Sequence, residues 1–454
     1  MYAEFGGDVS VGSSQIVLLT VTAIASLLAM IFCKVKWAVI EKAICENIHN
    51  VSSALLMLLL IGSLSGIWMI SGVVPTMIYY GVQFLNPDFF LCSCCIICAV
   101  VAVVIGSSWT TIATIGVALM AIGKIQGFPE GWIAGAIISG AYFGDKVSPL
   151  SDTTVLSSTV TNTPLFTHIR YMQYTTIPTM FIALLLFAIL GFNHSAVSTV
   201  SIHDFMQSLE QTFVVSPWLM LVPLTTLFLI MKKVPTLIIL VVAIFVACVF
   251  ALFMQPELLN EVTGKASTNT SIFRGLIMVL YGSTHIETGH ELLNGLVATR
   301  GMEGMLNTVW LTICAMCFGG AMQATGMLEC LTQNFLKVIR KGLSMVVSTI
   351  FAGIFLNIVT AEQYISIILT GNMFKDIYKK KGYEGRLLSR TIEDSVTVSS
   401  VLIPWNACGM AQAAILGVAT VAYLPYCFFN LINPIVAIMV MAIRYKVKNN
   451  NQHD

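Results

Sequence analysis

The stretch SGAYFGDKVSPLSDTTVL, residues 139–156, holds two acids and a lysine, Asp145, Asp152 and Lys146, between apolar sequence on either side. Beside them stand the hydroxyls Ser148, Ser151, Thr153 and Thr154 and two residues that interrupt helices, Gly144 and Pro149. A second stretch, RTIEDSVTVSSVLIPWNACG at 390–409, repeats the logic: Glu393 and Asp394, then Ser395, Thr397, Ser399 and Ser400, then Pro404 and Asn406. In hydrocarbon every backbone polar group needs a partner, so broken backbone persists only inside protein or beside a water-filled cavity. A break exposes carbonyls, which coordinate small cations, and helix N-termini, which favour anions. A charged side chain at the bilayer centre costs roughly 2.5–3.5 kcal/mol on insertion scales, a cost normally tolerated for function.

The chemistry these groups offer is competition, in which one carboxylate holds a cation or a proton but not both. Exchange then needs a carboxyl that titrates near the working pH. A free Asp titrates near ~3.9, and desolvation between apolar spans disfavours its charged form. The expected cation and proton ligands are Asp145, Asp152, Asp394, Ser148, Ser151, Thr153, Thr154, Ser395, Thr397 and Asn406. Lys146 either pairs with one of these acids or receives a carboxylate substrate. A solvated loop at 144–153 is the plainer alternative, and its single lysine and short flanking spans argue against it. Two shorter motifs sit upstream, GSSWTT (106–111) and NIVTAEQY (357–364). Their turns are too tight for free loops and are expected to be re-entrant hairpin tips. Trp109, Thr110, Asn357, Glu362 and Gln363 there, with Lys146 and Glu393, are the supporting residues.

The elements that must position these groups follow from composition. Of 454 residues 57% are hydrophobic and 10% charged, against about a quarter charged in ordinary globular domains. Many apolar runs reach the roughly 17–25 residues that cross a bilayer as a helix. Apolar spans read as 16–33, 44–70, 89–107, 109–123, 130–143, 154–163, 171–192, 216–231, 235–254, 303–324, 343–358, 360–374, 398–416 and 420–443. Amphipathic connectors fall near 73–86 and 326–341, and 255–271 reads as a polar loop. The net charge of +1 implies no nucleic-acid partner.

An internal repeat is visible. GIWMISG (66–72) and GAMQATG (320–326) are offset by 254 residues, and the acids Asp145 and Asp394 by 249. The loop 124–130 is nearly free of Lys and Arg, whereas its counterpart 375–390 is the most basic loop in the chain. The basic clusters Lys34/Lys36, Lys232/Lys233, Lys337/Arg340/Lys341, Lys375 with Lys379–Lys381, Arg386/Arg390 and Arg444/Lys446/Lys448 are assigned to the cytoplasm, with the C-terminus. Matching loops then lie on opposite sides, which makes the repeat inverted, with halves at 40–192 and 295–443 joined by linking spans and a loop at 193–294.

Other motifs carry less. Cys92, Cys94, Cys95 and Cys98 lie inside an apolar run and read as small helix-packing residues. STHIETGHELL (283–293) holds His285, Glu287, His290 and Glu291, but their spacing does not put four ligands on one helix face, so a polar helix start is expected and no metal. His49, His168, His194 and His203 read as interfacial or loop residues. YFGD (142–145) resembles half of an intramembrane aspartyl protease pair, but the chain contains no Tyr-Asp partner, so no enzyme is expected. A static channel would not need an inverted repeat.

At SGVVPTMIYYG (71–81), GSSWTT, GAIISGAYFGDKVSPLSDTT (135–154), TAEQYISIILTGNMF (360–374) and LSRTIEDSVTVSSVLIPWNACG (388–409), the chain resembles the NhaC family of Na+/H+ antiporters. It departs from the family pattern at Val155, Glu362, Val396 and Val401. The resemblance implies cation–proton exchange in the bacterial inner membrane, with some relatives coupling Na+ and H+ to malate and lactate. The expectation is an all-α polytopic membrane protein, an inverted-repeat secondary transporter with broken helices and re-entrant hairpins. It needs no cofactor; Na+ and H+ are its cargo. Its partners are monovalent cations, protons and the lipid bilayer, with a homodimer as one available assembly. A Na+- or H+-coupled exchanger of small organic acids is the rival reading.

Overall fold

The computed structural model describes residues 13–193, 199–232, 234–263, 269–328 and 342–443. Lys233, Lys337/Arg340/Lys341, Arg444/Lys446/Lys448, His194 and most of the expected connector at 326–341 lie outside the described residues.

Apolar runs become helices because only a helix satisfies its own backbone within one segment. The chain opens with α1 (Ser13–Phe32) and the long α2 (Trp37–Ile70), then turns at Gly72 into the connector α3 (Val73–Phe84). Next come α4 (Phe90–Ile105), α5 (Ser108–Ile125, with a π-helical stretch at Ile112–Gly116), α6 (Glu130–Val147), α7 (Asp152–Val160) and α8 (Leu165–Phe192). A middle section holds α9 (Thr199–Thr212), α10 (Leu221–Met231), α11 (Thr236–Met254), α12 (Pro256–Thr263), α13 (Asn269–Tyr281) and α14 (Glu291–Val297). The second part runs through α15 (Glu303–Ala324), α16 (Gly342–Thr360), α17 (Gln363–Lys380) and α18 (Gly385–Ile392). The chain continues from α18 through a π-helical turn (Glu393–Thr397) and a 3-10 turn (Ser400–Leu402). It ends with α19 (Ala407–Leu416), α20 (Thr420–Tyr423) and α21 (Phe428–Ile443). Among the described residues eight helices are long and apolar enough to cross a membrane, or up to ten if two sharply bent pairs each count as one span. The protein is an all-helical, multi-pass membrane protein.

The expected loop at 255–271 is instead partly helical, in α12 and α13. Its acids form one face of an amphipathic helix: Glu257 and Glu261 are exposed, while Leu258 and Leu259 are buried. The cysteine run behaves as packing sequence. Cys94, Cys95 and Cys98 are buried on α4, where Gly140 of α6 leaves room for the Cys95 backbone.

Left-handed backbone marks the same turns in both parts. Gly106 and Ala361, Gly127 and Gly382, and Asn162 and Gly417 are each 255 residues apart, and Gly72 and Gly326 are 254 apart. Helix caps keep that register. Ser107 and Glu362 each accept a hydrogen bond from the backbone N–H three residues on, and Ser151 and Asn406 cap α7 and α19. In this register Asp145 is matched by Ser400 and Asp394 by Ser139. The two acids are therefore not counterparts, contrary to the offset of 249. Asp145 lies in the last turn of α6, beside the break, whereas Asp394 lies in the π-helical turn well before its break.

The tip residues test this equivalence. A Cβ on Gly106 would sit 2.6 Å from Leu150 Cβ and 2.7 Å from its carbonyl carbon. Ala361 already holds φ +58°, a left-handed conformation that costs an L-residue about 1–2 kcal/mol. Gly106 holds φ +75°, so Gly106→Ala is expected to destabilise the protein by about 1–3 kcal/mol through overpacking and by about 1–2 kcal/mol more through left-handed strain. Ala361→Gly should be neutral or stabilising by about 0.5–1 kcal/mol, strain relief being partly offset by chain entropy. Melting of the detergent-purified variants checks both; a clear loss of stability in Ala361→Gly would overturn the strain assignment.

Candidate cation site

Two hairpins and two breaks build the site. α4 and α5 fold around the turn Gly106–Ser107, and α16 and α17 fold around Ala361–Glu362. The first tip is tied to the first break. Ser108 donates from its N–H (3.0 Å) and its Oγ (2.7 Å) to Asp145 Oδ2, and Ser148 Oγ donates to the Val103 carbonyl (2.8 Å). The second tip is tied to the second break in the same way. Trp405 Nε1 donates to the carbonyl of Ile358 (2.8 Å), the counterpart of Val103, and the Ala407 N–H donates to the Ala361 carbonyl (2.9 Å). Asn357 Nδ2 donates to the Val396 carbonyl (2.6 Å) and Asn406 Nδ2 to the Asn357 carbonyl (3.2 Å). Hairpins and breaks thus satisfy one another: Ser148, Trp405 and Asn406 cover the Val103, Ile358 and Asn357 carbonyls, while Asn357 and the Ala361 carbonyl meet the Val396 carbonyl and the Ala407 N–H of the second break.

Both tips open onto one cavity of about 450 Å³. Asp145, Asp152, Thr153, Ser108, Trp109 and Thr110 line it from the first part, and Gln363 from the second tip. Ile230, Val234 and Ile239 form an apolar wall. Among the described residues its lining contains two acids and no Lys, Arg or His. Asp145 is buried, held by Ser108, whereas Asp152 is exposed at the start of α7. Gln363 Oε1 accepts from Ser400 Oγ (3.3 Å) and Cys408 Sγ (2.8 Å), so the cavity wall is anchored to the second break. Carboxylate, hydroxyl and amide oxygens around one pocket are the ligand set of a hard monovalent cation.

Asp394 belongs to a different place and does not line the cavity. It forms a fully buried ion pair with Lys146 of α6. Its Oδ1 also accepts from Thr175 Oγ1 of α8 (3.0 Å) and Asn433 Nδ2 of α21 (2.9 Å), and Arg390 Nε stands 3.4 Å from Oδ2. Lys146 lies over the Phe429 ring at 5.9 Å and Arg390 over Tyr171 at 4.9 Å. Glu393 is also fully buried, and its Oε1 accepts from Ser157 Oγ of α7 (2.7 Å).

The other expected site residues divide between ligand-like and structural positions. Ser151 caps α7 and pairs with Thr153 Oγ1 at 3.0 Å, and Thr154 Oγ1 donates to the Lys146 carbonyl (3.1 Å). Ser395 Oγ turns back onto its own helix at the Thr391 carbonyl (2.6 Å), and Thr397 Oγ1 has no partner among the described residues. Glu362 caps α17 through the Ile365 N–H (2.7 Å). His168 is not interfacial: it is fully buried on the face of α8 that also carries Met172, Thr175 and Thr179. Among the described residues no group of three or more His, Cys, Asp or Glu could hold a metal.

Ser108, Thr175, Asn433 and Arg390 are absent from the expected site. Thr175 and Asn433 each stand within three residues of an intrahelical proline, Pro178 and Pro434. A polar residue beside such a proline in an apolar run is a readable signal.

Residues 140–443, which contain the first break and the whole second part, match the Na+/H+ antiporter family. The Na+/H+ antiporter NhaC of Bacillus subtilis is 35% identical over 406 residues, 89% of this chain and 87% of its own length. The NhaC antiporter of Alkalihalophilus pseudofirmus is 34% identical, covering 90% of this chain and 86% of its own length. The malate-2H+/Na+-lactate antiporter of Bacillus subtilis is 34% identical over 87% of this chain and 81% of its own length. With the broken helices, the paired hairpin tips and the acid-lined cavity, these matches place the chain in the Na+/H+ antiporter family.

Proposed function

We propose that this protein is a secondary antiporter that exchanges Na+ for H+ across the bacterial inner membrane. The observation that carries the reading is the cavity lining: Asp145 and Asp152 with hydroxyl and amide oxygens, and no basic side chain among the described residues. Such a lining attracts a cation and repels a carboxylate. Asp145 binds either the cation or a proton, while Ser108 keeps its carboxyl aimed at the cavity. The two NhaC relatives named above support the same cargo. The relative named for malate and lactate raises organic-acid exchange as a second reading. Lys146, the residue that could receive a carboxylate, is committed to Asp394, which favours the inorganic exchange.

The parts around 40–192 and 295–443 act as inverted repeats that rock against each other around the cavity. The C-terminus and the basic turn near Lys381 lie in the cytoplasm by the positive-inside rule. Glu130 and Lys380 are exposed near turns that are counterparts, while Gln126 is buried and unsuitable for labelling. In a cysteine-free background Glu130→Cys and Lys380→Cys are expected to react with an impermeant thiol reagent from opposite sides. Same-side labelling would refute the inverted repeat.

The exchange itself is tested with purified protein in proteoliposomes. A Na+ gradient is expected to drive an opposing pH change, with Li+, K+ and malate as comparisons. Proton flux that needs malate or lactate would shift the assignment to organic-acid exchange, and no Na+-driven flux at all would remove it.

A further inference from the structure

Glu393 is a carboxyl that neither the cavity nor the ion pair employs. It is fully buried, Ser157 Oγ holds its Oε1, and its Oε2 has no hydrogen-bond partner among the described residues. It opens a π-helical turn, a feature that often marks functional positions in helices. Two cations stand close, but both approach Asp394 instead: Lys146 in a direct ion pair and Arg390 at 3.4 Å. The group formed by Lys146, Arg390 and Asp394 has one positive charge in excess. With Glu393 ionised the group is neutral, and with Glu393 protonated it keeps that excess, so its net charge follows the protonation of Glu393.

The surroundings leave few other candidates for that role. α16 and α21, packed on the π-helical turn, contain no charged residue. α17 carries its charges near its far end, from Lys375 to Lys380. α18 carries Arg386, which pairs with Glu384, and Arg390, which stands beside Asp394; α8 carries Arg170 and the buried His168, and His168 lies within electrostatic reach of Lys146 and Asp394. α6 brings Asp145 and Lys146, whose fields both reach Glu393. α7 carries Asp152 as its only charge. The same helix links the two places: Ser157 holds Glu393, and Asp152 and Thr153 line the cation cavity. These positions are about 7 Å apart along the axis at ~1.5 Å per residue. Asp145, Thr154 and Ser157 are buried, so the charge on Asp145, which a bound cation would offset, acts on Glu393 through protein more than through solvent.

We infer that Glu393 carries a second proton in each transport cycle, so that two protons exchange for one cation. This rests on the cation–proton exchange proposed above. When the cation binds, Asp145 gives up one proton and Glu393 another, both to the aqueous side from which the cation came. On the opposite side both carboxyls are reprotonated as the cation leaves. One net positive charge therefore crosses the membrane per cycle, in the direction of the protons.

The test is proton release on Na+ binding to the purified full-length protein, measured by titration calorimetry in buffers of differing ionisation enthalpy, alongside flux in proteoliposomes. The wild type is expected to release about two protons per Na+ bound, with flux that responds to an imposed membrane potential. Glu393→Gln is expected to release about one, with exchange retained and its dependence on membrane potential lost. Glu393→Asp, which keeps the carboxyl, should still release about two, with a shifted pH profile. Release of one proton by the wild type, of two by Glu393→Gln, or of one by Glu393→Asp overturns the inference while leaving cation–proton exchange standing. Absence of any proton release from the wild type on Na+ binding instead removes the exchange on which it rests.

Discussion

Asp145→Asn is expected to abolish Na+-driven proton flux while leaving the helical bundle folded. Asparagine keeps the shape of the side chain and an oxygen that can accept both bonds from Ser108, so the link between the first hairpin tip and the first break survives. It cannot ionise, so it neither neutralises a bound cation nor carries a proton. Loss of a charged partner costs a buried ligand about 3 kcal/mol, roughly 150-fold in affinity, and without the proton there is nothing to exchange. Asp145→Glu retains the charge at an altered position and should keep weak flux with a shifted pH optimum. Asp152→Asn should cost less, because Asp152 is exposed; a better-screened charge puts the loss at about 10-fold. Flux in proteoliposomes, with size-exclusion profiles of the same preparations, decides the matter. Near-normal exchange by the Asp145→Asn variant would show that the carboxylate is structural and that the cation binds elsewhere.

Much of this arrangement is legible in the amino-acid sequence. Hydrocarbon admits few backbone solutions, so the apolar runs declare their helices, and the Gly144–Pro149 stretch with its hydroxyls declares a break. GSSWTT and NIVTAEQY are legible as tight turns because polar residues in so short a gap between apolar spans have nowhere else to go. What sequence does not carry is which polar groups face each other. Asp145 and Asp394 look alike as acids in apolar surroundings, yet one faces a cavity and the other faces Lys146 and Arg390. The offset between these acids suggests a correspondence that the turns contradict. Register in a helical repeat is held by the left-handed residues and caps, which differ in type: glycine at 106 but alanine at 361, serine at 107 but glutamate at 362. His168 is misread because a lone polar residue near the start of a span looks interfacial. Its burial shows only when the helical period through Met172, Thr175 and Thr179 is followed into packing.

Asp394→Asn is expected to be the most destabilising of the acid substitutions, and destabilising where Asp145→Asn is not. From sequence alone an Asn at either position should be tolerated by the fold. The structure separates them, because Asp394 is the shared counter-ion of two buried cations, Lys146 and Arg390. Asparagine would still accept from Thr175 and Asn433, but both cations would lose their nearest negative charge in a region with no solvent to replace it. Breaking a buried pair from one side costs about 3–5 kcal/mol, since the remaining charge stays desolvated. Lys146→Met should cost less, because Asp394 keeps Arg390 and both neutral donors, and methionine fills a similar volume. Combining the two substitutions should recover part of the loss, since only one cation is then left without its partner, and a double-mutant cycle isolates that coupling. Melting temperatures and monodisperse yields of the four proteins in one detergent give the answer. An Asp394→Asn protein as stable as the wild type, or more stable than Lys146→Met, would show that the pair is not the clamp between α6 and the π-helical turn, and would restore Asp394 as a candidate ligand of the transported cation.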